Sequence, residues 1–587
     1  MKKIILDIEI YKNYSLFSFT DLDCQKYIEL EMFDGQPLDV KRLNRILRNN
    51  TIITFNGNHY DIPVTCAALQ GRSCKELKEI SDHIILTGEQ GWQTARRFDI
   101  RMIDIDHIDI KEPSPGVQVS LKLYGGRLGC KKLQDLPIEP DRLITPEQRK
   151  QLRLYCRNDL HTTIALYKAI ENEIDLRQEM SKLYDVDLRS MSGAQVAKAV
   201  FKKLLEDKNV DVTTKNVKEG TVYKYDMPEW ITFKTDILKE IKQRVTDSDF
   251  VVNAKGSVLI PRQLQKVIEF NGAKYKFGIG GLHSQESKQA IIPNDDQLLF
   301  EKDVASMYPN IILGQSLYPK HLTKRFIDVY KDLVNKRLTA KKSGDKATSE
   351  SLKLVINSSF GLFGNQYSPL YSPDLLIQVT ITGQLCLLML IERVTLAGGD
   401  VVSANTDGIN ILCGKSTYQR IEHICFEWEL DTGLELEENR YKGTFNESVN
   451  SYIAITDKGV KTKGNFALPG LMKNMVNTIC IEAVIAKVTT GAAVEDTILA
   501  CKDITKFLTV RSVAGGGVYN GEYLGKVVRW YYGNNDNYIA YKKNGNKVAK
   551  SDWAIPCMDL PDKFPNDLNY AWYFAEANKM LWNLGYA

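Results

Sequence analysis

Residues 401–412, VVSANTDGINIL, decide how the rest of the chain is read. Two runs of small or apolar residues, VVSA and INIL, flank the polar tip Asn405-Thr406-Asp407-Gly408. An Asp-Gly pair between apolar runs predicts a tight β-hairpin. Upstream, residues 297–302 read as a strand that delivers a second carboxylate, Asp303, in FEKDVASMYP. Two carboxylates at strand ends could hold a pair of divalent metal ions.

Between them the chain is basic and helical. Arg337 and Lys341 lie four apart in LVNKRLTAKK, as do Lys353 and Asn357 in LKLVINSSFG, so each pair shares one helix face. The intervening SGDKATSES is polar enough to be the turn of a helical hairpin. Two stripes of phosphate-binding groups would then face one cleft.

The ordered series D-x2-S-M-Y-P, R-x3-K, K-x3-N-S-x-F-G and N-T-D-G resembles motifs A, B and C of family B DNA polymerases. The resemblance implies that Asp303 and Asp407, helped by the Val304 carbonyl, ligate two Mg2+ or Mn2+ ions. It implies that Arg337, Lys341 and Lys353 hold the incoming triphosphate and that Asn357 lines the nucleotide pocket. Tyr308 matches the steric-gate tyrosine that excludes a 2′-hydroxyl. Two residues depart from the family pattern: Phe360 stands where tyrosine is common, and Asn405 gives NTD in place of DTD.

The N-terminal third carries a second carboxylate set. Asp7 and Glu9 project from one side of a strand in MKKIILDIEI, because residues two apart on a strand face the same way. Asp61 follows a strand and turn in TIITFNGNHYDIPV, and Tyr155 and Asp159 share a helix face in LYCRNDLHTT. D-x-E, N-x4-D and Y-x3-D in this order resemble the three motifs of the DnaQ-like 3′→5′ proofreading nucleases. By that resemblance Asp7, Glu9, Asp61 and Asp159 ligate two divalent metals and Tyr155 orients the attacking water. Lys132 is a further electrostatic candidate. Asp104 and Asp106, alternating on a strand in RMIDIDHIDI, fall outside the motifs and read either as structural residues or as supports behind the metal ligands.

Elsewhere the signals are weaker. The glycine-rich YKFGIGGLHS, with Gly278, Gly280 and Gly281, resembles the family's Y-x-G-G element, which touches template, with Tyr275 or Phe277 as the aromatic residue. Residues 451–464, SYIAITDKGVKTKG, read as a hairpin where the family has its primer-contacting K-x-Y motif. Tyr452 matches, and the basic role would pass to Lys461 and Lys463. LGKVVRWYYG reads either as a strand gripping duplex backbone or as a core strand whose bases snorkel.

Bulk properties set outer limits. At 587 residues the chain exceeds what one core supports, so several domains are expected. Its 43% hydrophobic and 26% charged content is that of a soluble protein, and a net charge of +4 gives no global polycationic signal. Eleven cysteines without a C-x-x-C pair read as reduced thiols in a cytosolic protein. The N-terminus reaches Asp7 too soon for a signal peptide, and nuclease motifs starting there predict no extra N-terminal domain. Residues 375–391 are apolar but interrupted by Gln378, Gly383 and Gln384, which predicts a buried helix and not a membrane span.

The expected fold class is α/β multidomain: an RNase H-like (DnaQ-like) exonuclease domain plus a right-hand polymerase of palm, fingers and thumb. The expected boundaries are 1–170 exonuclease, 171–270 connector, 271–320 and 366–465 palm, 321–365 fingers and 466–587 thumb and C-terminal region. The resemblance implies a phage-type replicase in the host cytoplasm, acting on primer–template DNA and dNTPs with two divalent metals in each site. Motifs A and B lie about 50 residues apart, as do B and C, which leaves little room for the insertions of protein-primed enzymes. A nucleic-acid primer is therefore expected, with a clamp, helicase or single-strand-binding protein as partner and no membrane. The competing readings are a repair or primer-making polymerase and a DNA-binding replication factor with a decayed site.

Overall fold

Alternation in KKIILDIEIY builds the strand Lys2–Tyr11, which buries Ile4, Leu6, Ile8 and Ile10 on one face and turns Ile5, Asp7 and Glu9 to the other. In the computed structural model, which describes residues 1–116 and 119–586, this strand is the centre of a five-stranded sheet. Tyr14–Asp21 and Tyr27–Phe33 join it antiparallel on one side, and Asn50–Thr54 and His107–Asp109 continue it parallel on the other. The helix Pro146–Ala169, opened by a Thr145–Gln148 capping box, packs Leu160, Ile164 and Tyr167 in one cluster with Ile5, Ile53 and Ile108. Asp104 and Asp106 precede the third parallel strand and are not in it, in contrast to the alternating pattern. The Asp106 carboxylate instead accepts bonds from Thr51 and Arg189.

The chain forms two compact units, one of Met1–Ser192, Pro469–Glu482 and Glu495–Ala575, the other of Gly193–Leu468, Ala483–Val494 and Glu576–Ala587. Residues 466–587, expected as the thumb and C-terminal region, are divided between the two units. Within the first unit they supply a four-stranded sheet whose long strands are Thr509–Tyr519 and Glu522–Tyr532. Val510 and Val527 belong to the same cluster as Ile5. Arg529 is fully buried and donates to the carbonyls of Cys130, Lys131, Cys557 and Met558. LGKVVRWYYG is therefore a core strand, with Trp530, Tyr531 and Tyr532 also buried and Lys526 exposed.

The second unit is built on an antiparallel sheet. Its order runs Gly459–Lys463, Ser451–Thr456, Leu436–Ser448, Gln297–Val304, Gly408–Gly414, Asp400–Asn405, Leu282–Ser284, Ala273–Phe277 and Ile268–Phe270. The apolar helix Pro373–Leu396 is long enough to cross a membrane, yet it is almost wholly buried. Its Glu392 accepts from the backbone N–H groups of Lys234 and Thr235. The helices Arg325–Ser343 and Lys346–Phe363 form the expected hairpin, but its turn is only Gly344-Asp345. Gly344 takes the left-handed conformation that ends the first helix, and the Asp345 carboxylate caps the second by accepting from the Thr348 N–H. A third helix, Gly193–Glu206, packs on this hairpin, with Phe201 stacked on Phe326 and Tyr330 at 5.7 and 6.0 Å. The segment expected as a plain connector, 171–270, thus contributes a wall to the hairpin.

Candidate active sites

In the first unit, strand, turn and helix bring Asp7, Glu9, Asp61 and Asp159 within electrostatic reach of one another. Asp61 opens the helix Asp61–Leu69, and the turn before it is fixed by Asp109, whose carboxylate accepts from the N–H groups of Asn56 and Asn58 at 2.8 and 3.0 Å. Burial and the charge of Asp159 push Asp7 up to about 7. Burial also raises Asp159 to about 6, against the pull of Lys122, and lifts Glu9 and Asp61 well above the usual carboxylate range. Tyr155 donates to Asp159, and its hydroxyl accepts from Lys122 Nζ at 2.7 Å. Lys122 is held in turn by Asp135 at 2.9 Å, and Tyr523 donates to the same carboxylate at 2.9 Å. Four crowded carboxylates facing one lysine are a donor set of hard oxygens, which fits divalent cations.

Three residues here escape sequence reasoning. Lys122 and not Lys132 is the cation beside the carboxylates; Lys132 is exposed and pairs through its backbone with Asp559. Nothing in the spacing of SLKLYGG marks Lys122. Cys156 donates its thiol to Asp7 Oδ2 at 3.1 Å, and its place three before Asp159 on the helix was a usable signal. Asp109 was hidden behind the more regular Asp104 and Asp106.

In the second unit Asp303 lies opposite Gly408 in the sheet register. A Cβ on Gly408 would sit 2.8 Å from Asp303 Oδ1, so any side chain here would displace that carboxylate. The Val304 N–H donates to the Asp407 carbonyl at 2.7 Å, which ties the hairpin tip to the strand end. Asn405 pairs with Gly408, leaving Thr406 and Asp407 as the two turn residues. Thr406 has φ +60, a costly conformation for a β-branched residue, and its N–H donates to the Leu282 carbonyl at 2.8 Å.

The glycine turn supports this hairpin. Gly281, at φ +147, packs so close to Thr406 that a Cβ would lie 2.8 Å from its methyl group. The Gly280 carbonyl accepts from the Tyr308 hydroxyl at 2.7 Å, and the Tyr308 ring stacks on Phe360 with centroids 4.5 Å apart. Gly280 and Gly281, read from sequence as template contacts, are thus neighbours of the carboxylate hairpin and of Tyr308.

Asp303 and Asp407 open into a cleft of about 440 Å³ lined also by Glu301, Asn405, Tyr452, Lys461 and Lys463. Burial and the neighbouring Asp407 push Asp303 up to about 7, and burial raises Asp407 as well. These oxygens too suit Mg2+ or Mn2+. Lys461 pairs with Glu301 at 3.4 Å. Arg337 donates to Ser306 Oγ at 3.3 Å, three residues from Asp303, and its Nε is buried with no hydrogen-bond partner among the described residues. Lys341 and Asn357 are exposed, and Lys353 pairs with Glu350 of its own helix at 3.4 Å. The Asn405 amide donates to the Val449 carbonyl and to Asn450 Oδ1, both at 3.4 Å.

No protein-family model and no curated protein matches the chain. Among solved structures it is similar to the family B DNA polymerase from the hyperthermophilic archaeon Pyrobaculum calidifontis, with 13% identity and a TM-score of 0.40 over 99% of this chain and 78% of that one.

Proposed function

We propose that the chain is a DNA-templated DNA polymerase with a 3′→5′ proofreading nuclease, the first activity at Asp303 and Asp407 and the second at Asp7, Glu9, Asp61 and Asp159. The observation that carries this reading is the pairing of the Asp303 strand end with the Asn405–Gly408 tip beside a cleft holding Lys461, Lys463 and Tyr452. Asp303, Asp407 and the Val304 carbonyl would hold two Mg2+ or Mn2+ ions. When bound, such a pair activates a primer 3′-hydroxyl and stabilises the departing pyrophosphate.

The chain's own residues do the rest. Arg337, Lys341 and Lys353 neutralise the triphosphate of the incoming dNTP. The Tyr308–Phe360 stack forms a flat apolar floor on which sugar and base rest, where the bulk of Tyr308 excludes a 2′-hydroxyl. Asn357 borders the nucleotide, and Tyr452, Lys461 and Lys463 hold the primer backbone. In the first unit the four carboxylates would hold two further divalent ions, and Tyr155 orients the attacking water from its bond to Lys122. The same reading makes the protein a phage-type replicase in the host cytoplasm, extending a nucleic-acid primer with processivity from a clamp, helicase or single-strand-binding partner.

The test is a labelled primer–template incubated with Mg2+ and dNTPs. Asp407→Ala is expected to abolish extension and keep degradation, and Asp7→Ala the reverse. Extension that survives Asp407→Ala would sink the polymerase assignment, and degradation that survives Asp7→Ala would sink the nuclease assignment.

A further inference from the structure

One side chain at the first carboxylate cluster, Cys156, has no part in the chemistry above. The Cys156 sulfur and one carboxylate oxygen each of Asp7 and Glu9 lie within 4.8 Å of one another, and among the described residues no other such group of three metal-ligating side chains comes that close. Cys156 is fully buried, and its thiol points at Asp7 Oδ2 from 3.1 Å. A second observation points to a cation at the same place. Asp61 is 5% exposed, its carboxylate takes a hydrogen bond only from its own N–H among the described residues, and the charged groups that act on it are Asp7, Glu9 and Asp109. A buried carboxylate with only carboxylates around it lacks a positive partner.

We propose that Cys156, Asp7 and Glu9 form a mixed sulfur–oxygen site that binds a thiophilic divalent cation, Zn2+ or Cd2+. The proposal rests on reading Asp7 and Glu9 as cation ligands. Mg2+ takes oxygen ligands and leaves sulfur aside, so with Mg2+ the thiol keeps its proton and remains a hydrogen-bond donor to Asp7. Zn2+ and Cd2+ accept thiolate ligands. On their binding the S–H bond breaks, its proton leaves to solvent, a sulfur–metal bond forms, and no group is oxidised or reduced. Asp7 serves both kinds of ion, so a soft cation held through sulfur competes directly with Mg2+.

The test titrates Cd2+ into the full chain, freed of metal by dialysis against chelator, and follows the ultraviolet thiolate-to-cadmium charge-transfer band. The other ten cysteines contribute equally to wild type and variant, so the difference isolates Cys156. Cys156→Ser keeps a hydroxyl donor to Asp7 and so protects the fold, which circular dichroism checks; Cys156→Ala is the second variant. Both are expected to lose one thiolate's share of the band and to bind Cd2+ at least about tenfold more weakly, and Asp7→Asn to weaken binding similarly. Equal bands and equal affinities in wild type and both Cys156 variants would overturn the proposal. A Cys156-dependent band in a protein that degrades no DNA supports this site and removes the nuclease reading. Mg2+-dependent degradation with no Cys156-dependent band removes this proposal alone.

Discussion

At Asn405 an amide stands where the resembled polymerases commonly carry a carboxylate, and the difference is one of donors. The amide gives hydrogen bonds to Val449 and Asn450, which a carboxylate cannot, and so links the carboxylate hairpin to the turn before Ser451–Thr456. Both bonds are long, so Asn405→Asp is expected to cost no more than about 1 kcal/mol of stability. Its larger effect is a fourth acidic group in the cleft that already holds Glu301, Asp303 and Asp407. Primer extension should persist in the variant with a shifted dependence on Mg2+ and Mn2+ concentration, measured by titrating each ion. Extension that appears only in the variant would show the native hairpin to be inactive. The residue scale also shows where the resemblance misled: Lys122 reaches Tyr155 across 33 positions of sequence, a contact without periodicity, whereas Lys132 was a candidate only through the resemblance.

At the scale of the element, the strand Gln297–Val304 carries more than its terminal carboxylate. Lys302, 5% exposed, turns to the face away from Asp303 and lies between Glu422 at 2.6 Å and Glu438 at 2.9 Å. Burial alone would raise Glu438, but the bond and charge of Lys302 prevail and hold it below the ordinary carboxylate range. Removing the lysine leaves Glu422 without its cation and Glu438 with only Arg440 at 2.6 Å, so Lys302→Met should destabilise the protein by about 1–3 kcal/mol, read from urea unfolding. The sign with pH follows from the lowered Glu438. Its contribution is full above the ordinary carboxylate value and is lost as pH falls through the lower folded value, so the gap between wild type and Lys302→Met should narrow on acidification. A gap that widens toward acid would contradict the pairing.

At the scale of the molecule, the N-terminal third does not complete its own core. Val510 and Val527 fill the cluster around Ile5, Leu123 and Tyr124, Arg529 satisfies the carbonyls of Cys130 and Lys131, and Tyr523 bonds to the Asp135 that holds Lys122. Residues 1–192 expressed alone should therefore be aggregation-prone or melt well below the full chain, as checked by solubility and thermal unfolding; a fragment as stable as the full chain would contradict this packing. What the sequence determined is local: the hairpin tip, the strand alternation that pairs Asp7 with Glu9, the helix spacing of Tyr155 and Asp159, and the apolar helix that is buried. Each rests on a period of 2 or 3.6 residues or on turn chemistry, which short stretches of chain carry in themselves. Tertiary structure alone decided which lysine faces the carboxylates, that the glycine turn braces Thr406 and Tyr308, and that the C-terminal strands complete the first core. Those are contacts between residues far apart in sequence or on different elements; burial marks the inward face of each segment, but which segments then meet leaves no periodic mark on either one.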